Sequence, residues 1–193
     1  MNYPEYVKIG EKKYKINTDF RVAIKCSSIA NDKNIGDYER ALAIIYTLYG
    51  NEGLNATDDY EKLLELAQLY LSCGEKVEKT NEEPDMDFEE DIDYIEASFM
   101  SDYHIDLSET KMHWWKFYKL INGLSDSEMG NCCVLNRIRN LRKYDVSKIE
   151  DNKERNKIID AQKRYALKKN KKEENLTDKQ LKSIDEFYKM ISS

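Results

Sequence analysis

Chain breakers are scarce: 193 residues include only 2 prolines and 7 glycines. A many-stranded β-protein spends turn residues roughly every 8–12 positions, so this shortage disfavours that class and favours helices joined by polar loops. Long apolar runs are missing too. Nothing approaches the roughly 18–20 consecutive apolar residues that span a bilayer. The opening Met1-Asn2-Tyr3-Pro4-Glu5 lacks the charged-then-apolar order of a secretory signal. The expectation is a soluble, cytoplasmic chain with no membrane partner.

Residues for site chemistry are equally sparse. The four cysteines, Cys26, Cys73, Cys132 and Cys133, show no Cys-x-x-Cys spacing, and the adjacent pair is badly placed for an ordinary disulfide. They read as reduced structural thiols. The two histidines, His104 and His113, lie nine apart rather than at the spacing of His-Glu-x-x-His, and they read as structural or surface groups. The acids of residues 85–93 lack the glycine and terminal glutamate of an EF-hand loop. No phosphate-binding glycine loop, dinucleotide fingerprint or Gly-x-Ser-x-Gly elbow occurs. The sequence therefore assigns no catalytic residue, no metal ligand and no cofactor, and an enzyme is not expected.

The chain does have folding capacity. Hydrophobic residues make up 40% and charged residues 35%, and 14 tyrosines argue against a disordered chain. Charge is polarised along the sequence despite a net charge of only −6. Residues 75–93 carry ten acids and two lysines, and residues 137–172 carry fourteen bases and five acids. Such runs form solvated faces or linkers, or else an electrostatic handle that docks tail on linker or receives a partner. Acids interrupt the basic tract, and only Tyr144 and Tyr165 interleave it, so nucleic acid is not the expected partner.

Periodicity predicts a mainly α fold with a short N-terminal β-hairpin and an extended basic C-terminal helical region. Val7-Lys8-Ile9 and Tyr14-Lys15-Ile16 alternate around a Gly10-Glu11 turn. Thr18 or Asp19 caps a helix to about Asn31; a second opens at Gly36-Asp37 and breaks at Gly50 and Gly53; a third opens at Thr57-Asp58 and ends near Cys73-Gly74. The acidic segment to Glu90 reads as a flexible connection, followed by helices over 88–103, from Ser108, over 126–142, over 146–172 and over 176–191. The expected regions are 1–74 (hairpin plus helices), 75–90 (acidic linker), 91–143 (aromatic-rich helical core) and 144–193 (charged C-terminal helices).

Packing information concentrates in residues 91–107 and 113–117, which hold both tryptophans and both histidines. Trp114, Phe117, Tyr118 and Ile121 share a helix face, whereas Trp115 points elsewhere. Two readings stand for this stretch. The aromatics form the core, above all Trp114 and Phe117; or Trp115, Trp114, Phe117, Tyr118, Phe99 and Tyr103 line a partner-binding groove, with Trp115 its foremost contact.

The segments Asp93-Tyr94-Ile95-Glu96-Ala97-Ser98-Phe99, Tyr103-His104-Ile105-Asp106-Leu107, Met112-His113-Trp114-Trp115-Lys116-Phe117 and Leu120-Ile121-Asn122-Gly123-Leu124 together resemble the signature of the bacteriophage gene product fifteen family of small siphophage proteins. Ile138-Arg139 and Lys163-Arg164-Tyr165-Ala166-Leu167 resemble its C-terminal half. The resemblance implies a non-catalytic phage or prophage tail-morphogenesis protein of the tail-assembly-chaperone type in the host cytoplasm. Its implied partners are the tape-measure protein and the tail-tube protein, with a homo-oligomer also open. The alternative reading is a phage-encoded modulator or inhibitor of a host or anti-phage protein, acting by protein–protein or nucleic-acid-like contacts.

Overall fold

The computed structural model describes residues 3–75, 83–126 and 132–168. Strands β1 (Tyr6–Ile9) and β2 (Lys12–Lys15) pair antiparallel with Val7 opposite Tyr14. Gly10 turns the hairpin at φ 58°, a backbone conformation that a residue without Cβ adopts at no steric cost. Strand alternation sends Tyr14 and Ile16 into the core and leaves Lys13 and Lys15 outside.

Asp19 caps α1 (Phe20–Asn31) by accepting the Arg21 N–H at 3.0 Å. Helix α2 (Asp37–Leu54) leaves helical geometry at Gly50 and then takes one further turn, so Gly50 breaks it and Gly53 does not. A 3-10 turn over Thr57–Asp59 leads into α3 (Tyr60–Leu71). After the acidic segment come α4 (Ile92–Tyr103), α5 (Trp114–Asn122) and α6 (Val134–Lys143). Helix α1 packs on α2 and α5, α2 on α3 and on β2, and α4 on α6.

Helices α4 and α5 start later than periodicity predicts, and both delays have one cause. The Asp87 carboxylate accepts the N–H groups of Glu89 and Glu90, holding a turn that postpones α4 to Ile92. The Asp106 carboxylate likewise takes the N–H and O–H of Ser108, so Ser108 is engaged in a turn and the capping role passes to His113. Short polar side chains compete locally with the helix ladder, and the pattern of apolar residues does not report that competition. The helix predicted over 126–142 begins only at Val134, since Asp126, Cys132 and Cys133 are not helical; residues 127–131 lie outside the described residues.

Residues Met1–Lys143 form one compact unit with one core, so the expected regions 1–74 and 91–143 are not separate bodies. The Phe117 ring on α5 explains why. It stacks between Phe20 of α1, 4.5 Å away at 10°, and Phe99 of α4, 5.2 Å away at 12°. Each such pair contributes about 0.5–1.5 kcal/mol beyond the area it buries.

The expected flexible connection is also corrected where it is described, residues 83–90. Phe88 packs edge-on against Trp114 at 5.6 Å. Asp85 meets Arg139 at 3.2 Å and Lys143 at 2.8 Å, and Asp91 receives the Arg142 guanidinium at 2.7 and 2.8 Å. The acidic run thus pairs in cis with the head of the basic run, and only tertiary folding brings the two together.

The second unit is Tyr144–Ser193. Asp145 caps a 3-10 turn over Val146–Lys148, and Asp151 then accepts the Glu154 N–H at 2.7 Å to open α7 (Asn152–Tyr165). The single helix predicted over 146–172 is therefore divided, because two aspartates each begin a new element. The helix predicted over 176–191 lies outside the described residues.

Candidate functional site

The aromatic stretch is organised by the start of α5. Residues Asp19 and His113 form an isolated antiparallel bridge, in which the Phe20 N–H donates to the Met112 C=O at 3.0 Å and the Trp114 N–H to the Thr18 C=O at 2.8 Å. His113 Nδ1 accepts the Trp115 N–H at 3.0 Å, which leaves Nε2 to carry the proton and donate to the Pro4 C=O, also at 3.0 Å. The ring further stacks on Tyr3 at 4.9 Å. His113 is thus a structural residue and a helix cap.

This start aims both indoles at the end of α3. Trp114 Nε1–H donates to the Leu71 C=O at 3.0 Å, and Trp115 Nε1–H to the Tyr70 C=O at 2.9 Å. Carbonyls in the last turn of a helix have no partner within the helix, and here two adjacent tryptophans supply one each. The same helix end carries a Schellman motif, with Gly74 N–H donating to the Leu69 C=O at 2.8 Å and Cys73 N–H to the Tyr70 C=O at 3.0 Å. Cys73 takes the left-handed position at φ 55° that glycine usually fills.

The six residues predicted to line one groove divide into two sets. Phe99, Trp114 and Phe117 are in the core, at 0%, 4% and 0% exposure, and are out of reach of a partner. Tyr103 is half-buried, and its O–H donates to the Leu120 C=O at 2.9 Å, tying α4 to α5. Trp115 and Tyr118 are half-buried and line an open cavity of about 360 Å³ together with Cys73, Glu75, Lys119 and Asn122. Trp115 is therefore not the free surface residue its face suggested, since its indole N–H is committed to α3 and one side of its ring faces the cavity. Nothing in the periodicity could have shown this, because the acceptor lies 45 residues upstream.

The Cys73 thiol and the Tyr103 hydroxyl are held in their neutral forms. Burial pushes the Cys73 thiol up to about 12, the Glu75 charge adds to that, and Lys119 opposes it. Burial likewise raises the Tyr103 hydroxyl. A thiol so placed stays protonated and is a poor nucleophile near neutral pH. Among the described residues, no group of histidine, cysteine, aspartate or glutamate side chains converges to hold a metal ion. No helix among them is long and apolar enough to cross a membrane.

The arrangement is a mainly α protein whose aromatic helix closes a neighbouring helix end and leaves an aromatic-walled cavity beside it. A sequence profile described as Bacteriophage Gp15 protein matches residues 2–167, and the chain belongs to that family. No curated protein and no solved structure matched the chain.

Proposed function

We propose that this chain is a non-catalytic phage or prophage tail-assembly chaperone that binds the tape-measure protein in the host cytoplasm and assists tail-tube assembly. The supporting observation is the match to a phage protein family over residues 2–167, within which the signature residues around α5 form the molecule's organising centre. The cavity beside Trp115 and Tyr118 suits capture of an apolar side chain from a helical partner. Its rim carries Glu75 and Lys119, charges of opposite sign that orient what docks. The hydrogen bond to Tyr70 holds the Trp115 ring in place before any partner arrives, which lowers the ordering cost of binding.

The test is co-expression of the full chain with the tape-measure protein of the same phage or prophage. The expected result is that the partner turns soluble and co-purifies, and that Tyr118→Ala reduces its recovery without unfolding the chaperone. Trp115→Phe removes the indole N–H and is expected to loosen the end of α3 as well as weaken capture. An insoluble partner, whatever the level of wild-type chain, overturns the proposal.

A further inference from the structure

The hairpin has an outer edge with which no strand pairs among the described residues. Ile16 N–H donates to the Glu5 C=O at 2.9 Å, which fixes Lys12, Tyr14 and Ile16 as the hydrogen-bonded positions toward β1. The N–H and C=O groups of Lys13 and Lys15 therefore point to the opposite edge, and among the described residues no strand pairs with it. The next outward donor, Asn17 N–H, is satisfied by the Leu48 C=O at 2.8 Å, close to the Gly50 break in α2. Helix α2 thus stands in for a strand at one position and leaves the two before it open.

Beside that edge lies an open cavity of about 800 Å³, whose walls include Lys15, Val22, Lys25, Tyr46 and Glu52. Tyr46 is 53% exposed there, an aromatic surface on which an incoming side chain can rest. The charge is one-sided. Over residues 5–16 Lys8, Lys12, Lys13 and Lys15 stand against Glu5 and Glu11, Lys12 being paired with Asp59 at 2.9 Å, and in the cavity Lys15 and Lys25 outnumber Glu52. Two copies of this edge would set lysine against lysine, so self-pairing is disfavoured. Nucleic acid fits less well than peptide, because the edge alternates donors with carbonyl acceptors and phosphate can use only the donors.

We propose that the outer edge of β2 is a docking site for an extended acidic segment of another protein, added as a third strand with its carboxylates reaching Lys15 and Lys25. Main-chain pairing supplies affinity and the lysines select for acidic side chains. The proposal does not depend on the Trp115 surface or on the chaperone reading.

The probe is an end-capped heptapeptide alternating glutamate with valine, titrated into the full chain and followed by amide chemical shifts. Lys13 and Lys15 amides are expected to shift and to exchange more slowly, and added salt is expected to weaken binding. Lys15→Pro deletes one outward N–H together with the Lys15 charge while sparing every bond to β1, and it is expected to weaken binding by at least about tenfold, the cost of one hydrogen bond plus that of the lost charge. The double variant Lys15→Glu with Lys25→Glu keeps the edge, reverses the charge and is expected to abolish binding; it decides the matter should Lys15→Pro fail to fold. Unmoved Lys13 and Lys15 amides at millimolar peptide overturn the proposal. So does equal binding by a lysine–valine peptide, or tighter binding of a single-stranded oligonucleotide at the same residues.

Discussion

Asp19 and His113 face each other across a single antiparallel bridge, and each caps the helix that leaves it. The two helices, 94 positions apart in sequence at their first residues, Phe20 and Trp114, therefore start from one hydrogen-bonded junction. Their aromatic side chains are delivered to the same core from that junction, so loss of either cap disturbs both.

Asp19→Ala is expected to destabilise the protein by about 1 kcal/mol, the usual loss for an N-cap. His113→Ala is expected to cost more, since it also releases the Pro4 carbonyl and the Tyr3 ring. His113→Asn restores the cap alone and should fall between wild type and His113→Ala in urea unfolding. Equal midpoints for His113→Asn and His113→Ala would mean that the cap contributes nothing, and equal midpoints for His113→Asn and wild type that the contacts to residues 3 and 4 contribute nothing. The double variant Asp19→Ala with His113→Ala should be non-additive, because the two caps share one bridge.

The pair Asp91 and Arg142 is the most deeply buried ion pair described, with side chains 1% and 10% exposed. Removing one member of such a pair strands a charge in the interior. Arg142→Met is expected to cost about 3–5 kcal/mol, while adding Asp91→Leu to it should recover much of that loss. A double-mutant cycle from chemical denaturation measures the coupling; a single-variant cost under about 1 kcal/mol would show that water reaches the pair.

Acid should weaken the same region through Asp85. Burial works to raise its carboxyl, but the hydrogen bond from Lys143 and the charge of Arg139 outweigh burial and hold it below the ordinary carboxylate range. A group whose folded value is depressed contributes stability that is present above its unfolded value, about 3.9, and lost as pH falls through the folded one. The thermal midpoint should therefore decline below about pH 4. Asp85→Asn should flatten that decline while lowering the midpoint at neutral pH. An unchanged acid limb in Asp85→Asn would remove Asp85 from the account.

Gly50 sits at φ 64° and ψ −154°, a region open essentially to glycine alone. Open space surrounds the position where a Cβ would stand, so any cost of Gly50→Ala is conformational rather than steric. It is expected to destabilise by about 1–3 kcal/mol in urea unfolding. A substitution without effect would show that α2 can continue unbroken through residue 50. In that event Asn17 is expected to lose its bond to Leu48, visible as faster amide exchange at Asn17.

Elements set by local rules were legible from the chain. The alternation around Gly10, the cap at Asp19 and the apolar stripe of α3 each reflect contacts within a few residues, so periodicity and capping chemistry placed them closely. The starts of α4 and α5 were misplaced because Asp87 and Asp106 close turns on their own neighbours, and such competition has no periodic signature. Helical spacing separates Trp114 from Trp115 on α5, but the partner of Trp115, the Tyr70 carbonyl, lies on another helix and leaves no trace in that spacing.

By itself, then, the sequence determined a mainly α chain with an N-terminal hairpin, its polarised charge and the shared helix face of Trp114 and Phe117, since all of these follow from spacing and composition. Only the tertiary structure decided which helix end the indoles close, that Asp85 and Asp91 are held by Arg139, Arg142 and Lys143, and that among the described residues no strand pairs with the outer edge of β2. Those are pairings between groups far apart in the chain, and their energies depend on burial and geometry that no local pattern encodes.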